Sequence, residues 1–412
     1  MTVHEHKQAA VESFLAARSG PKEDFEMYSA LALALLAVLQ PAFGQDVSSA
    51  DELPFTISPD TIEGDPDYIP PLFPILPFNQ YAQNPILSPN PANNWESAFL
   101  YNPTAIVLNE TIFLLYRAQN ASKTSSVGLA WSTDGYSFTR LNSPILYATE
   151  PWEAGGGTED PRITRVNGTF YLTYTGYNLT SPQLCIATST DLLTWTKYPP
   201  LFPNWQDVAY SDIDIPEPRF NHSKSAAITN EKVDGLYHMY WGDSFIYKAT
   251  SPDMLNWTTL SASQYFAEPV YPWENRLIEP GPAPIKTRDG RWILVYNGAT
   301  SGRVGYPGAQ YGVGQMLVDP SGAFRPTVNT SLENPVTGGT YQPALRDGPV
   351  ARIERPMVFP STPEETEGQV NRVTFAEGLV QFKGKWFLYF GQADSTLGVA
   401  VADVQPLYGN EA

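Results

Sequence analysis

The feature that most constrains the fold is a short turn that recurs along the chain. Residues 132–138, 189–195 and 251–257 share the pattern Ser-x-Asp-x-x-x-aromatic. The aspartates of these turns, Asp134, Asp191 and Asp253, lie 57 and 62 residues apart. Self-similarity at a nearly fixed period indicates repeated structural units, and several short strands in each unit are typical of propeller blades.

Short runs rich in β-branched and aromatic residues surround these turns and have the same phase. Each run is followed by a strand of small residues, and most are preceded by a hairpin turn of Asn, Asp or Gly. We therefore predict an all-β chain in which residues 81–412 form a five-bladed β-propeller catalytic domain. A β-sandwich is the alternative, but it does not account for the recurring turn. The five aromatic runs are 111–116, 169–174, 236–241, 292–296 and 386–390.

The charge balance excludes several classes of partner. The chain has 412 residues, with 25 Lys and Arg against 43 Asp and Glu, and a net charge of -18. A nucleic-acid binder needs a basic surface, and so does a protein that docks on anionic membranes, so we expect neither partner. The single cysteine, Cys185, excludes an internal disulfide, and four histidines are few for a metal centre. We expect no metal and no cofactor.

The N-terminal region has the composition of an export signal. Residues 30–39 are apolar, a run too short to span a bilayer but typical of a signal-peptide core. Small residues at 42 and 44 predict cleavage before Gln45. We expect residues 1–44 to be an upstream segment plus a signal peptide that starts at Met27, and residues 45–80 to be a Pro-rich extension. The alternative is an amphipathic helix of a cytosolic protein.

Glycosylation sequons support secretion to the extracellular space. The pattern Asn-x-Ser/Thr marks acceptor sites for N-linked glycans in exported chains. Together with the leader, the sequons predict a secreted glycoprotein. The seven acceptors are Asn109, Asn120, Asn167, Asn178, Asn221, Asn256 and Asn329.

Clusters of acidic residues precede the predicted inner strands. The segment Gly155-Gly-Gly-Thr-Glu159-Asp160-Pro-Arg162 places adjacent acids, a proline and an arginine at a strand start. We expect Arg162 to orient a carboxylate bidentately, although a purely structural Asp–Arg pair is an equal alternative. Inner strands of a propeller line one funnel, so carboxylates from different blades would converge there. Paired carboxylates with aromatic neighbours are what cleavage of a glycosidic bond requires.

These motifs resemble glycoside hydrolase family 130, the β-mannoside phosphorylases and hydrolases on five-bladed propellers. The resemblance covers roughly residues 80–405. It implies that Asp160 is the proton donor, and that the substrate is an oligosaccharide or other mannoside. The residues assigned to substrate binding are Asn102, Arg117, Arg162, Lys224, Asp243 and Asp394. The motifs that carry the resemblance are Asn84-Pro-Ile-Leu, Tyr101-Asn102-Pro, Leu115-Tyr-Arg117, Thr158-Glu-Asp160-Pro-Arg162, Asn230-Glu231-Lys and Gly391-Gln-Ala-Asp394.

Two departures from the family pattern favour its hydrolases over its phosphorylases. The phosphorylases carry a phosphate-binding histidine in Tyr-His-Gly, where this chain has Asn297. The phosphorylases also carry an arginine after another strand, and residues 239–244 of this chain contain no basic residue that could replace it. The hydrolases look inverting and use a glutamate to activate water, for which Glu231 and Glu279 are the two candidates. We expect a secreted inverting β-mannosidase, with β-1,2 as the linkage to test first.

Three other functions stay open at this point. The first is phosphorolysis of a β-mannoside by inorganic phosphate. The second is an arabinanase- or fructosidase-like glycosidase, which should have an acid where this chain has Asn102. The third is a sugar-binding propeller without catalysis, which would have lost Asp160 or the two glutamates.

Overall fold

A computed structural model describes residues 49–212, 215–302, 305–321 and 348–407. All of them belong to one unit that runs from residue 44 to the C-terminus. The predicted leader at residues 1–44 and the sequon at Asn329 lie outside the described residues. In the ranges that are described, no helix is long and apolar enough to cross a membrane.

Strands are the dominant secondary structure of the described chain and helix is almost absent, which confirms the all-β prediction. The short α-helix α1 spans Pro363–Thr366, and single 3₁₀ turns occur at Asn94–Glu96, Pro151–Glu153 and Pro272–Glu274. The strands are β1 Ser49–Ala50, β2 Asn79–Gln80, β3 Phe99–Leu108, β4 Thr111–Gln119, β5 Ser125–Ser132, β6 Thr139–Leu141, β7 Gly157–Val166, β8 Thr169–Tyr177, β9 Pro182–Ser189, β10 Thr196–Lys197, β11 Gln206–Asp212, β12 Ile215–Phe220, β13 Ala226–Ile228, β14 Tyr237–Trp241, β15 Tyr247–Ser251, β16 Thr258–Thr259, β17 Leu277–Pro280, β18 Ile285–Lys286, β19 Trp292–Ala299, β20 Tyr311–Val318, β21 Ala351–Arg352, β22 Thr374–Phe382, β23 Lys385–Gln392 and β24 Thr396–Asp403.

These strands form five antiparallel meanders. The first four are β3–β6, β7–β10, β13–β16 and β17–β21, and the fifth is β22–β24. The fifth meander gains its fourth strand from the N-terminal side, because β2 pairs with β24. The first two meanders are joined by one parallel bridge between Ser125 and Gly157. The hairpin β11–β12 is inserted between the second and third meanders.

Hydrophobic clusters fill the spaces between successive meanders. The fifth meander packs on the fourth and also returns to the first, where β22 lies beside β3. The aromatic strands of the repeat supply much of this core, since each contributes side chains to the cluster on either side. Pairs that represent the five clusters, in order around the chain, are Ile106 with Ile163, Ile186 with Met239, Tyr240 with Leu294, Val295 with Phe390, and Tyr389 with Leu114.

The recurring turn is a hydrogen-bonded cap in all three copies. In the first copy, Ser132 donates its hydroxyl to Asp134, and Asp134 Oδ1 accepts the backbone N–H groups of Tyr136 and Ser137. Asp191 and Asp253 accept the equivalent bonds. The repeat therefore satisfies backbone donors and is structural.

A second repeat, which the sequence analysis missed, uses buried glutamates. The 3₁₀ turns before β3, β7 and β17 all read x-Trp-Glu, and their glutamates are fully buried. Each of these carboxylates accepts a hydrogen bond from a tyrosine of the following middle strand and contacts a basic side chain. Several of the acids in this chain are therefore structural. The three sets are Glu96 with Tyr116 and Arg140, Glu153 with Tyr174 and Lys197, and Glu274 with Tyr296 and Arg352.

The Pro-rich N-terminal segment packs along the edges of the meanders. Strand β1 pairs in parallel with β6. Gln381 makes two hydrogen bonds with the backbone of Ile69, and Gln315 makes two with the backbone of Ile75. The two side-chain amides satisfy the backbone N–H and C=O groups of Ile69 and Ile75, which are not paired with a strand of the described chain.

Candidate active site

Three of the first strands of the meanders carry a β-bulge at the same level. The register shifts at Asn102 in β3, between Glu159 and Arg162 in β7, and at Glu377 in β22. Asn102 and Asp160 adopt left-handed backbone conformations, with φ of 49° and 50°. A bulge re-aims a side chain out of the strand alternation. The Asn-Pro and Asp-Pro pairs therefore turn their polar side chains toward a common point.

Asp160 lies at that point, in contact with three other elements. Asn102 donates its amide to Asp160 Oδ1 at 2.7 Å, and Arg117 Nη1 donates to the same oxygen at 2.8 Å. Lys224 Nζ lies 3.2 Å from Oδ2. The carboxylate is 1% exposed. Its partners come from β3, β4 and the segment before β13. These contacts bring together four residues that the sequence analysis predicted.

The three cations decide the protonation of Asp160. Burial alone would raise the pKa of its carboxyl, but Lys224, Arg117 and Arg162 outweigh burial and hold the pKa well below its ordinary value. Asp160 is therefore ionised at neutral pH in the ligand-free site.

Glu279 is the second carboxylate of the cluster. It follows Ile278 in β17, accepts the Ser225 hydroxyl at 2.7 Å, and lies 3.7 Å from Lys224 Nζ. Because Lys224 contacts both acids, their nearest oxygens are no more than about 7 Å apart, within reach of one sugar linkage. Burial raises the pKa of Glu279, and Lys224 only partly offsets it. The two acids thus have pKa values shifted in opposite directions.

The carboxylate that Arg162 contacts is that of Glu377, so the alternative of a side-chain pair between Asp160 and Arg162 is wrong. Its guanidinium donates to the backbone carbonyls of Asp160, Pro280 and Gly281 and contacts Glu377 at 2.8 Å. Arg162 is 2% exposed and Glu377 is fully buried. The arginine is turned inward because β7 resumes its alternation after the bulge. It therefore ties together the strands that carry Asp160 and Glu279.

Asp394 and Glu159 flank Arg117 on the outer side of the cluster. Glu159 accepts from Arg117 Nη2 and from the Ser125 hydroxyl. Asp394 has φ of 51°, and burial raises its pKa to about 7, with Arg117 opposing. Glu159 was not singled out as a site residue by the sequence analysis, although it stands in the same Glu-Asp-Pro-Arg motif.

Asp243 lies in a separate charged network on the edge of the cluster. It contacts Arg219 at 2.7 Å and His222 at 3.1 Å. Arg219 also binds Asp207 through two hydrogen bonds. Arg219 at the end of the inserted hairpin and His222 just after it are basic residues that the sequence pattern at 239–244 does not reveal. Both are paired with carboxylates.

Of the other residues considered in the sequence, Asn297 is the strand partner of Glu279, whereas Glu231 lies away from the cluster. Asn297 pairs with the backbone of Ala376 through both atoms of its amide, so it ties β19 to β22. Glu231 is half-exposed, is paired with Lys286, and follows the end of β13 opposite Ser225. Only Glu279 of the two candidate bases therefore lies beside Asp160.

Two further predictions concern metals and glycans. Within the described ranges, no three His, Cys, Asp or Glu side chains come together as a metal site. The six sequon asparagines that are described are all at least partly exposed, and Asn109 and Asn167 occupy hairpin turns. Attachment of glycans stays a prediction.

Comparison with known proteins identifies the family of this chain. Residues 76–338 match the sequence profile of glycoside hydrolase family 130, described as β-1,4-mannooligosaccharide phosphorylase. A 1,2-β-oligomannan phosphorylase of Thermoanaerobacter sp. (strain X514) is 28% identical over 81% of this chain and 99% of its own. A β-1,2-mannobiose phosphorylase of the same organism is 29% identical over 79% and 97%.

Solved structures show the same relationship. A glycosyl hydrolase from Bacteroides ovatus is 32% identical, with a TM-score of 0.64, over 80% of this chain and 96% of its own. A second structure comes from work on family 130 mannoside phosphorylases that finds glycoside hydrolases targeting β-1,2 mannosidic linkages in Candida mannan. It is 31% identical, with a TM-score of 0.65, over 84% of this chain and 99% of its own.

Proposed function

Because the chain belongs to glycoside hydrolase family 130, we propose that it cleaves β-mannosidic linkages at the Asp160 cluster. The observation that carries the proposal is the placement of Asp160 and Glu279 on either side of Lys224 Nζ, at 3.2 and 3.7 Å. Two carboxylates with different pKa values, held within one linkage of each other, are the groups that glycoside cleavage uses.

We also propose that the meanders form a closed five-bladed propeller. Two observations support closure. The fifth meander is completed by a strand from the N-terminal side, and hydrophobic clusters lie between every successive pair of meanders, including the fifth and the first. In such a ring the first strands β3, β7, β13, β17 and β22 face the axis, which is where the charged cluster lies.

Asp160 and Glu279 are the proposed acid–base pair. The family resemblance assigns the proton donor to Asp160, and the base would then be Glu279. In the ligand-free site Glu279 binds a proton more tightly than Asp160 does, because burial raises its pKa while the neighbouring cations lower that of Asp160. For Asp160 to donate, the bound substrate must shift this proton, either directly or through one of its hydroxyl groups.

Two acceptors, water and inorganic phosphate, could receive the mannosyl group that is cleaved off. The names of the curated relatives support phosphorolysis better than they support hydrolysis. The geometry favours water, because Arg219 is neutralised by Asp207 and Asp243, and Lys224 by Asp160 and Glu279. A phosphate dianion at Lys224 would meet the carboxylates of Asp160 and Glu279, whereas a water molecule beside Glu279 would meet a base. We therefore propose inverting hydrolysis, with phosphorolysis as the second candidate.

Product analysis separates the two candidates. The purified chain would be incubated with β-1,2- and β-1,4-mannobiose, with and without inorganic phosphate. Hydrolysis predicts free mannose in both buffers, released first as the α-anomer in proton NMR spectra. Mannose 1-phosphate formed only with phosphate would establish the second candidate. No product from either disaccharide would favour a sugar-binding propeller.

Secretion is proposed on the sequence of the leader and the exposure of the sequons. A eukaryotic host that exports the full chain should release it into the medium with glycans attached. Treatment with an N-glycosidase should then lower its mass, and retention of an unmodified chain inside the cell would count against secretion.

A further inference from the structure

A cavity of about 470 Å³ lies at the opposite ends of the inner strands from Asp160. Along β7 the order is clear, since Asp160 belongs to the charged cluster, Arg162 is fully buried, and residues 163–165 line the cavity. The cavity is therefore distinct from the site already described. Its volume lies within the range of about 300–1,000 Å³ that is typical of small-molecule sites.

Arg165 lines this cavity, and one of its donors has no partner in the part of the chain that the structure describes. Its Nη1 donates to the carbonyl of Thr61, and its Nη2 donates to the carbonyls of Ser58 and Pro59. Arg165 is only 7% exposed, and its buried Nε has no hydrogen-bond partner among the described residues. A buried donor without a partner carries a cost that a ligand acceptor would remove.

Glu63 presents an acceptor on the same wall. Its nearest cation is Arg165, at 3.9 Å, which is longer than a hydrogen bond, and the side chain is 37% exposed. Burial raises the pKa of its carboxyl, and Arg165 only partly offsets this. A ligand hydroxyl that donates to Glu63 would stabilise the carboxylate more than the distant arginine does.

Tyr68 supplies an aromatic surface beside these two groups. It is 42% exposed, lines the cavity, and meets Trp386 edge-on with ring centroids 6.0 Å apart. Exposed aromatic faces next to hydrogen-bonding groups suit ligands with apolar faces and polar edges. Asn230 lines the same cavity, so the motif that contains Glu231 lies at its rim.

These groups favour a neutral hydroxylated ring. An anion would meet Glu63 and Asp65, while the only arginine in the lining already donates to three carbonyls. A divalent cation would need three ligands, which are not grouped in the described part of the chain. A sugar satisfies the donor, the acceptor and the ring together, because its hydroxyls both donate and accept.

We propose that this cavity is a second saccharide site that binds a terminal mannosyl unit away from the catalytic cluster. The choice of mannose rests on the proposed function, while the class of ligand rests on the cavity. A second site would hold a branched or polymeric mannoside on the protein between cleavage events.

The test compares binding stoichiometry in chains that cannot turn over substrate. Calorimetric titration with β-1,2-mannobiose would use Asp160→Asn, and then Asp160→Asn combined with either Glu63→Gln or Tyr68→Ala. The expected result is one fewer bound equivalent in both combinations, with affinity at that site weakened by at least about tenfold. The number of bound equivalents in each combination is compared with that of Asp160→Asn alone. The loss of one equivalent can therefore be measured whether or not Asp160→Asn still binds sugar at the charged cluster.

The matched control is Asp160→Asn combined with Tyr147→Ala, since Tyr147 is 53% exposed and does not line the cavity. This control should bind the same number of equivalents as Asp160→Asn alone. Equal stoichiometry in all the variants, or no binding in any, would overturn the proposal. Failure of the proposed function is a separate result, because it would appear as absence of product from the wild-type chain.

Discussion

The two ends of the inner strands differ in how their charges are arranged. At one end, Asp160 and Glu279 share Lys224, and every polar contact is within 3.7 Å. At the other end, Glu63 and Arg165 stand 3.9 Å apart beside an open cavity. The first arrangement fixes proton affinities, and the second leaves polar groups for a ligand. In our proposal, the same scaffold therefore separates a reactive end from an end that binds sugar.

The largest expected effect is the loss of activity in Asp160→Asn. If Asp160 donates the proton, kcat on β-mannobiose should fall by about 10²–10⁴, because that range is typical of general acid catalysis. The loss should shrink sharply on a 2,4-dinitrophenyl β-mannoside, whose leaving group needs no proton. Glu279→Gln should lose activity on both substrates. The reverse pattern would assign the donor to Glu279, in agreement with the ligand-free pKa values.

Removal of Arg162 should give the largest loss of stability. Arg162→Met leaves Glu377 buried without its cation, which costs about 3–5 kcal/mol in comparable buried pairs. Adding Glu377→Gln should recover part of this loss, since the amide needs no counter-charge. Urea unfolding of the two single variants and the double variant measures the coupling. Strict additivity would show that the two side chains do not depend on each other.

Asp394 should make the free energy of unfolding pH-dependent. Its folded pKa is about 7, against an ordinary value of 3.8, so the folded state binds its proton more tightly than the unfolded state. Stability from this group is fully present below the unfolded pKa and is lost as pH rises through the folded pKa. Asp394→Asn should therefore unfold at higher urea than the wild type at pH 8, with little difference at pH 3. A constant difference across this range would contradict the raised pKa.

The sequence predicted the repeat better than it predicted the function of individual acids. The Ser-x-Asp turn was found because it depends on local hydrogen bonds, which leave a fixed spacing. Glu96, Glu153 and Glu274 were missed as structural residues because their tyrosine partners lie about twenty residues away. Asp160 was recognised from its motif and a family resemblance.

Two candidate residues at the site lie elsewhere than their motifs suggested, for a geometric reason. Arg162 was expected to orient a carboxylate, and it does contact one, but the bulge between Glu159 and Arg162 turns it toward Glu377 and the neighbouring strands rather than toward Asp160. Glu231 was expected near Asp160, but it follows the far end of β13, a strand of only three residues. Strand direction and bulges depend on pairing with distant residues, so a local motif does not reveal which end a side chain occupies.

The smallest expected effect concerns the pair at the other end. Glu231 and Lys286 are each about half exposed, and exposed pairs contribute about 0–1 kcal/mol. A double-mutant cycle with Glu231→Gln and Lys286→Met should therefore give a coupling energy below about 1 kcal/mol. A larger coupling would mean that this end is organised more tightly than its exposure suggests.

The most direct test of the account compares Glu279→Gln with Glu231→Gln, a pair that makes the same chemical change at opposite ends of the inner strands. Initial rates of mannose release from β-1,2-mannobiose would be measured for both variants and the wild type. We predict that Glu279→Gln lowers kcat by at least about 10², as expected for an acid or base in contact with the reaction, while Glu231→Gln retains the wild-type rate. Full activity in Glu279→Gln, or loss of activity in Glu231→Gln alone, would contradict the placement of catalysis at the Asp160 cluster.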